Sequence, residues 1–153
     1  MDYSKVVTKE DVELETLKKF LKNKHFVFDK NLIDKHKIEP TDLRYKGINY
    51  QITEGDKVAV QSRRQPNSKG VPFFSVRNAN NIAELLLKDT LKKKSTRSDT
   101  STVLLVDVMS NGGRDWTDLE KEVSAWAKNN LSLCNCWKEI YLVYRGKNIK
   151  LSL

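Results

Sequence analysis

The chain has 153 residues, with 28 Lys and Arg against 20 Asp and Glu and a formal net charge of +8. Hydrophobic residues make up 39%, too many for a disordered chain, and a chain of this size buries about two-thirds of its unfolded surface, so folding requires neither a disulfide nor a structural metal. No apolar run reaches the roughly 18 residues of a membrane-spanning helix, and the charged start Met1-Asp2-Tyr3-Ser4-Lys5 lacks the apolar stretch of a secretory signal, so a soluble cytoplasmic protein is expected.

No internal repeat or linker divides the sequence, which predicts a single domain over 1–153. Thr8 and Asp11 have the spacing of a capping box. Leu14, Leu17, Phe20 and Leu21 then recur at helical spacing, with Lys18, Lys19 and Lys22 on the other face, so a helix is predicted over 9–23. His25-Phe26-Val27-Phe28 fits either a short strand or a packed turn, and 29–41 is charged and contains Pro40. Leu43-Arg44-Tyr45-Lys46 and 48–53 read as strands, and Gly47 alone between them is too tight for a standard hairpin and reads as a bulge in one long strand. In the second run Ile48, Tyr50 and Ile52 alternate with Asn49, Gln51 and Thr53, so one face is apolar and the other polar.

Val58-Ala59-Val60 is a short strand or an extended loop, and 61–70 is a polar, basic loop. A second helix is predicted from Asn80 or Asn81 through Ile82, Leu85, Leu86 and Leu91 into Lys92-Lys93-Lys94, followed by a polar loop over 95–102. The run Val103-Leu104-Leu105-Val106-Asp107-Val108 has the composition of a central strand covered on both faces. After a turn at Asn111-Gly112-Gly113, Asp115 or Thr117 caps a third helix carrying Leu119, Val123, Trp126 and Ala127. Ile140–Tyr144 and Ile149–Leu151 form a terminal hairpin, and Trp116, Trp126 and Trp137 read as core. The order helix, strands, helix, strand, helix, strand, strand predicts an α/β fold with a mixed central sheet flanked by helices on both faces.

Chemistry concentrates near 42–53. Gln51 and Thr53 share a strand face by alternation, and if the two strand runs are adjacent or bent, Asp42 points into the same pocket. Oxygen clusters of this type hold Mg²⁺, which activates water and stabilises charge on a scissile phosphate. At Pro40-Thr41-Asp42 and Gln51-Ile52-Thr53 the chain resembles the PD-(D/E)XK, or restriction-endonuclease-like, nuclease superfamily, whose motif is a proline-aspartate turn followed by a strand bearing acid, any residue and lysine. The resemblance implies a restriction-endonuclease-like fold and a Mg²⁺-dependent endonuclease, with Asp42 and Gln51 as metal ligands and Thr53 at the lysine position. It adds a carboxylate from the first helix, Glu13 or Glu10, and a homodimer as an assembly such nucleases often adopt. Three departures stand out: Thr41 is inserted, Gln51 is neutral, and Thr53 cannot carry the lysine's charge, for which Lys46, Lys57 or Arg63 are the candidate replacements. A second register sets Asp56 before Gln61-Ser62-Arg63, within a segment that reads as loop.

The positive balance suits a polyanion, with DNA ahead of RNA. Three clusters carry it: Arg63, Arg64 and Lys69; Lys92, Lys93 and Lys94 with Arg97; and Arg145, Lys147 and Lys150. Asn111-Gly112-Gly113-Arg114 opens toward a helix but lacks nucleotide-binding spacing. Cys134 and Cys136 with His25 and His36 far upstream read as reduced thiols rather than a zinc site. Three functions follow from the sequence: a metal-dependent nuclease, an inactive nucleic-acid-binding module on the same fold, and an interaction domain whose charge serves solubility.

Overall fold

The computed structural model describes residues 8–34, 41–55, 87–96, 98–108 and 115–151. Helix α1 spans Lys9–Asn23 and is closed at its start by the predicted box: the Asp11 N–H donates to Thr8 Oγ1 at 3.1 Å and the Thr8 N–H to Asp11 Oδ2 at 3.1 Å. At its other end the N–H groups of Phe26 and His25 reach the carbonyls of Leu21 and Lys22. His25 takes the left-handed conformation there (φ 62°) that helix ends usually assign to glycine. The chain leaves this stop as a turn, with Val27 89% exposed and Phe28 stacked on Tyr45.

A short 3₁₀ turn at Lys30–Leu32 leads to β1 (Ile33–Asp34), then β2 (Leu43–Tyr45) and β3 (Ile48–Glu54). The bulge expected at Gly47 is instead a two-residue hairpin turn. Lys46 joins Gly47 at positive φ (50° and 76°), the conformation whose twist matches paired strands. Tyr45 therefore faces Ile48 and Leu43 faces Tyr50 in an antiparallel ladder. Of the second predicted helix, α2 is seen as Asp89–Ser95; the start expected near Asn80 lies outside the described residues, as do 56–70 and Asn111–Arg114.

Strand β4 (Thr102–Asp107) follows, then α3 (Trp116–Lys128), α4 (Leu131–Cys134), β5 (Glu139–Tyr144) and β6 (Lys147–Lys150). Asp115, not Thr117, caps α3, its Oδ1 accepting from the Thr117 N–H at 2.7 Å. The six strands form one sheet in chain order; β3, β4 and β5 are parallel and the outer pairings antiparallel.

The fold is thus α/β, with a mixed sheet between two unequal layers. Leu91 of α2 packs on one face with α3, α4, Leu104, Val106, Leu142 and Trp137. On the other face α1, the one described helix there, sets Leu17, Phe20 and Leu21 against Tyr50, Ile52, Leu105 and Val143. Trp126 and Trp137 are core, and Trp116 lies partly buried with its ring edge-on to Tyr144. Cys134 and Cys136 are free thiols at the end of α4. No described helix is long and apolar enough to cross a membrane.

Candidate functional site

The polar face of β3 divides along its length. Gln51 is 2% exposed and its Oε1 accepts the indole N–H of Trp137 at 2.8 Å, inside the layer formed by α2, α3 and α4. Asp42 lies one residue before the Leu43–Tyr50 pair. Its N–H donates to the Tyr50 carbonyl at 2.8 Å, and its Oδ2 accepts the Ile52 N–H at 2.8 Å. The carboxylate therefore extends the β2–β3 ladder where main-chain pairing stops. Asp42 and Gln51 occupy the expected stretch of chain, but each is bonded to a different part of the frame.

Past Ile52, β3 keeps β4 as its described partner, and a cleft of about 420 Å³ opens at its carboxyl end. The cleft is lined by Lys9, Val12 and Glu13 of α1, by Ile52, Thr53 and Glu54 of β3, and by Lys94 of α2. Each residue arrives by local geometry. Glu13 is one turn from Lys9, which approaches it at 3.8 Å. Glu54 shares the α1-facing side of β3 with Ile52 by strand alternation. Lys94 sits in the last turn of α2, where a cation complements the helix dipole. Glu13 is only 6% exposed, and a buried carboxylate needs compensating cations or donors. Lys9 is one such cation.

Of the sequence-predicted site residues, Glu13, Thr53 and Lys94 thus meet in one cleft, whereas neither Asp42 nor Gln51 lines it. Glu10 stays exposed on the first turn of α1. Lys46 sits in the turn at the opposite end of β3 from Thr53, so it cannot supply the lysine function there. Lys57, Arg63, Arg64, Lys69 and the Asp56 register fall outside the described residues. Lys92 and Lys93 are exposed on α2. Glu54 was not anticipated, because its neighbour Thr53 drew attention to the other strand face. Among the described residues no group of three or more His, Cys, Asp or Glu side chains could hold a metal ion.

A second, basic hollow of about 780 Å³ flanks the C-terminal half of α1. Its walls include Lys18, Lys19 and Lys22 of α1, Asp107 at the end of β4 and Arg145 in the β5–β6 turn. Asp107 is held from α1: it accepts from the Thr16 hydroxyl at 3.0 Å and pairs with Lys19. The predicted Arg145–Lys147–Lys150 cluster separates, since Lys147 bonds Glu120 at 3.0 Å and Lys150 bonds Glu139 at 2.9 Å. Burial pushes the phenols of Tyr50 and Tyr141 up to about 12, helped by the nearby Glu139 carboxylate. No family profile, curated protein or solved structure matches the chain.

Proposed function

We propose that this domain is a restriction-endonuclease-like module that hydrolyses nucleic-acid phosphodiesters with a divalent cation, working at the cleft between α1 and the carboxyl end of β3. One observation carries the reading: Glu13, Glu54, Lys9 and Lys94 line a single cleft beside Thr53. The pair read from the motif fits a metal poorly, since Asp42 and Gln51 are bonded to the Ile52 N–H and the Trp137 indole. Glu13 and Glu54 fit better, because Mg²⁺ is commonly held by one or two carboxylates, with substrate phosphates and waters completing the shell. A bound Mg²⁺ supplies Lewis-acid activation of a phosphate and a more acidic water. Lys94 provides the positive charge that Thr53 lacks, directed at the charge that develops on the phosphate. Lys9 offsets the charge of buried Glu13 until substrate arrives.

An inactive nucleic-acid-binding module is the second reading, favoured by the structural use of both Asp42 and Gln51. The test is nicking of supercoiled plasmid and cleavage of single-stranded DNA and RNA with Mg²⁺ or Mn²⁺. Wild type is compared with Glu13→Gln, Glu54→Gln and Asp42→Ala, with circular dichroism confirming that each folds. Cutting that is abolished in Glu54→Gln and retained in Asp42→Ala supports the cleft. Cutting lost only in Asp42→Ala returns the chemistry to the motif pair. Salt-sensitive binding without cutting by the wild type establishes the inactive module.

A further inference from the structure

We infer that the basic hollow beside α1 binds the phosphodiester backbone of nucleic acid next to the cleft; the link to the cleft rests on the nuclease-like reading above. The hollow gathers Lys18, Lys19, Lys22 and Arg145 against Glu15 and Asp107, four cations to two carboxylates. Two of the cations are already engaged. Lys19 pairs with Asp107, and Lys18 reaches Glu15 at 3.5 Å and lies over the Phe28 ring. Among the described residues neither Lys22 nor Arg145 forms an ion pair, so these two carry the surplus charge.

Their positions come from different parts of the chain and are fixed by Asn23. Its Nδ2 donates to the Tyr144 carbonyl at 2.7 Å and to Asn148 Oδ1 at 2.8 Å, and its Oδ1 accepts the Gly146 N–H at 3.1 Å. The β5–β6 turn, with Arg145 on it, is thereby tied to the last residue of α1, next to Lys22. A preorganised pair of cations loses less freedom on binding than two independent loops would.

Proximity to the cleft follows from the sheet. Glu54 and Asp107 are register partners on adjacent parallel strands, spaced by about 4.8 Å. Above them α1 presents Glu13, Thr16 and Lys19 at intervals of three residues, on one side of the helix. Cleft and hollow thus lie next to each other along α1, on either side of the contact between buried Thr16 and Asp107. The described residues lining the hollow include no aromatic ring, so binding there rests on backbone charge rather than on base stacking. Point-charge ammonium groups with one guanidinium suit phosphate contacts that carry no sequence information.

The experiment is fluorescence anisotropy of a labelled single-stranded DNA oligonucleotide in EDTA, over a sodium chloride series. Wild type, Lys22→Ala/Arg145→Ala and Lys147→Ala are compared, each checked for an unchanged thermal melt. Removing two backbone contacts should make the slope of log affinity against log salt shallower by about 1.4, at about 0.7 per phosphate on a single strand. Lys147→Ala, whose cation is neutralised by Glu120, should leave the slope unchanged. Wild-type binding with an unaltered slope in the double variant overturns the site while leaving nucleic acid as the partner. No wild-type binding at any salt overturns the site and removes nucleic acid as well. Polyglutamate that competes as well as the oligonucleotide, and that also depends on Lys22 and Arg145, assigns the surface to an acidic polypeptide and overturns the proposal. Cleavage is read separately: a groove confirmed in EDTA with no cutting in Mg²⁺ fails the nuclease reading alone.

Discussion

Among the described residues, the two faces of the sheet differ in how many helices cover them. Leu104, Val106, Ile140 and Leu142 meet a layer built from α2, α3 and α4, and the resulting core is larger and more aliphatic. On the opposite face α1 is the one described helix over Tyr50, Ile52, Leu105 and Val143. Six strands at about 4.8 Å spacing span roughly 24 Å, and one helix with its side chains is about 10–12 Å across. Among the described residues, a single helix therefore leaves margins of this face without a helical cover. Aromatic rings fill part of the gap, with Phe20 meeting Tyr141 and Tyr50 edge-on, and charged side chains line the rest. Among the described residues, the three-helix face takes the polar Gln51 into its packing, and the cleft opens past it at the carboxyl end of β3, where Thr53 and Lys94 meet Glu13 and Glu54.

The strongest way to break this contrast is Gln51→Leu. If Gln51 belongs wholly to that packing, the variant leaves the Trp137 N–H buried without its acceptor, at a cost of about 1–3 kcal/mol. Urea denaturation should show that loss, and activity per folded molecule should be unchanged. A variant of undiminished stability that instead loses metal-dependent cleavage would show that Gln51 serves the site, and that the faces are not divided as described.

Much of the fold was legible because local chemistry and tertiary context agree. The Thr8–Asp11 box and the Leu14–Leu21 periodicity mark α1 at Lys9–Asn23, and the unbroken run at 103–108 marks the central strand, seen as Thr102–Asp107. The hairpin at Lys46–Gly47 was missed because it places a lysine at positive φ, which composition does not announce. The two-residue strand β1 and the four-residue helix α4 are too short to show a period. For the site, alternation correctly grouped Gln51 with Thr53 on one face but could not tell that the packing along that face ends between them. Only the strand order, with Trp137 approaching Gln51 and α1 crossing Glu54, separates a core amide from a cleft carboxylate. Asn23 was invisible for the same reason: its partners Tyr144, Gly146 and Asn148 lie more than a hundred positions away.

Thr8→Ala sharpens the contrast from the other side. Losing the N-cap should cost about 1 kcal/mol, within a range of roughly 0.5–2. Because α1 has no neighbouring helix among the described residues of its face, the loss should be local. Amide hydrogen exchange should speed up first across α1, with little change in α3, whose own cap at Asp115 is intact. Equal acceleration in both helices would mean that the layers unfold as one unit and that the single-helix face is no weaker than the other.

The smallest expected effect concerns the edge of the α1 face, where Glu139 meets Lys150. The Lys150 ammonium at 2.9 Å is the main cause holding the Glu139 carboxyl below its ordinary value of 4.5; partial burial opposes this, and the Tyr141 hydroxyl and the charge of Lys24 add to it. A carboxyl depressed in the folded state stabilises the protein above its unfolded value and loses that contribution as the pH falls through the folded one. Lys150→Ala should therefore lower the urea midpoint near neutrality and converge with wild type below about pH 4. The Lys150 side chain is 56% exposed, and solvent-screened pairs contribute about 0.2–1 kcal/mol, so the separation should sit at the low end and shrink with added salt. A difference that persists unchanged into acid would assign Lys150 a packing role instead. The salt-screened outcome would locate the charge balance of this face at its margins, where the Lys150 side chain stands mostly in water.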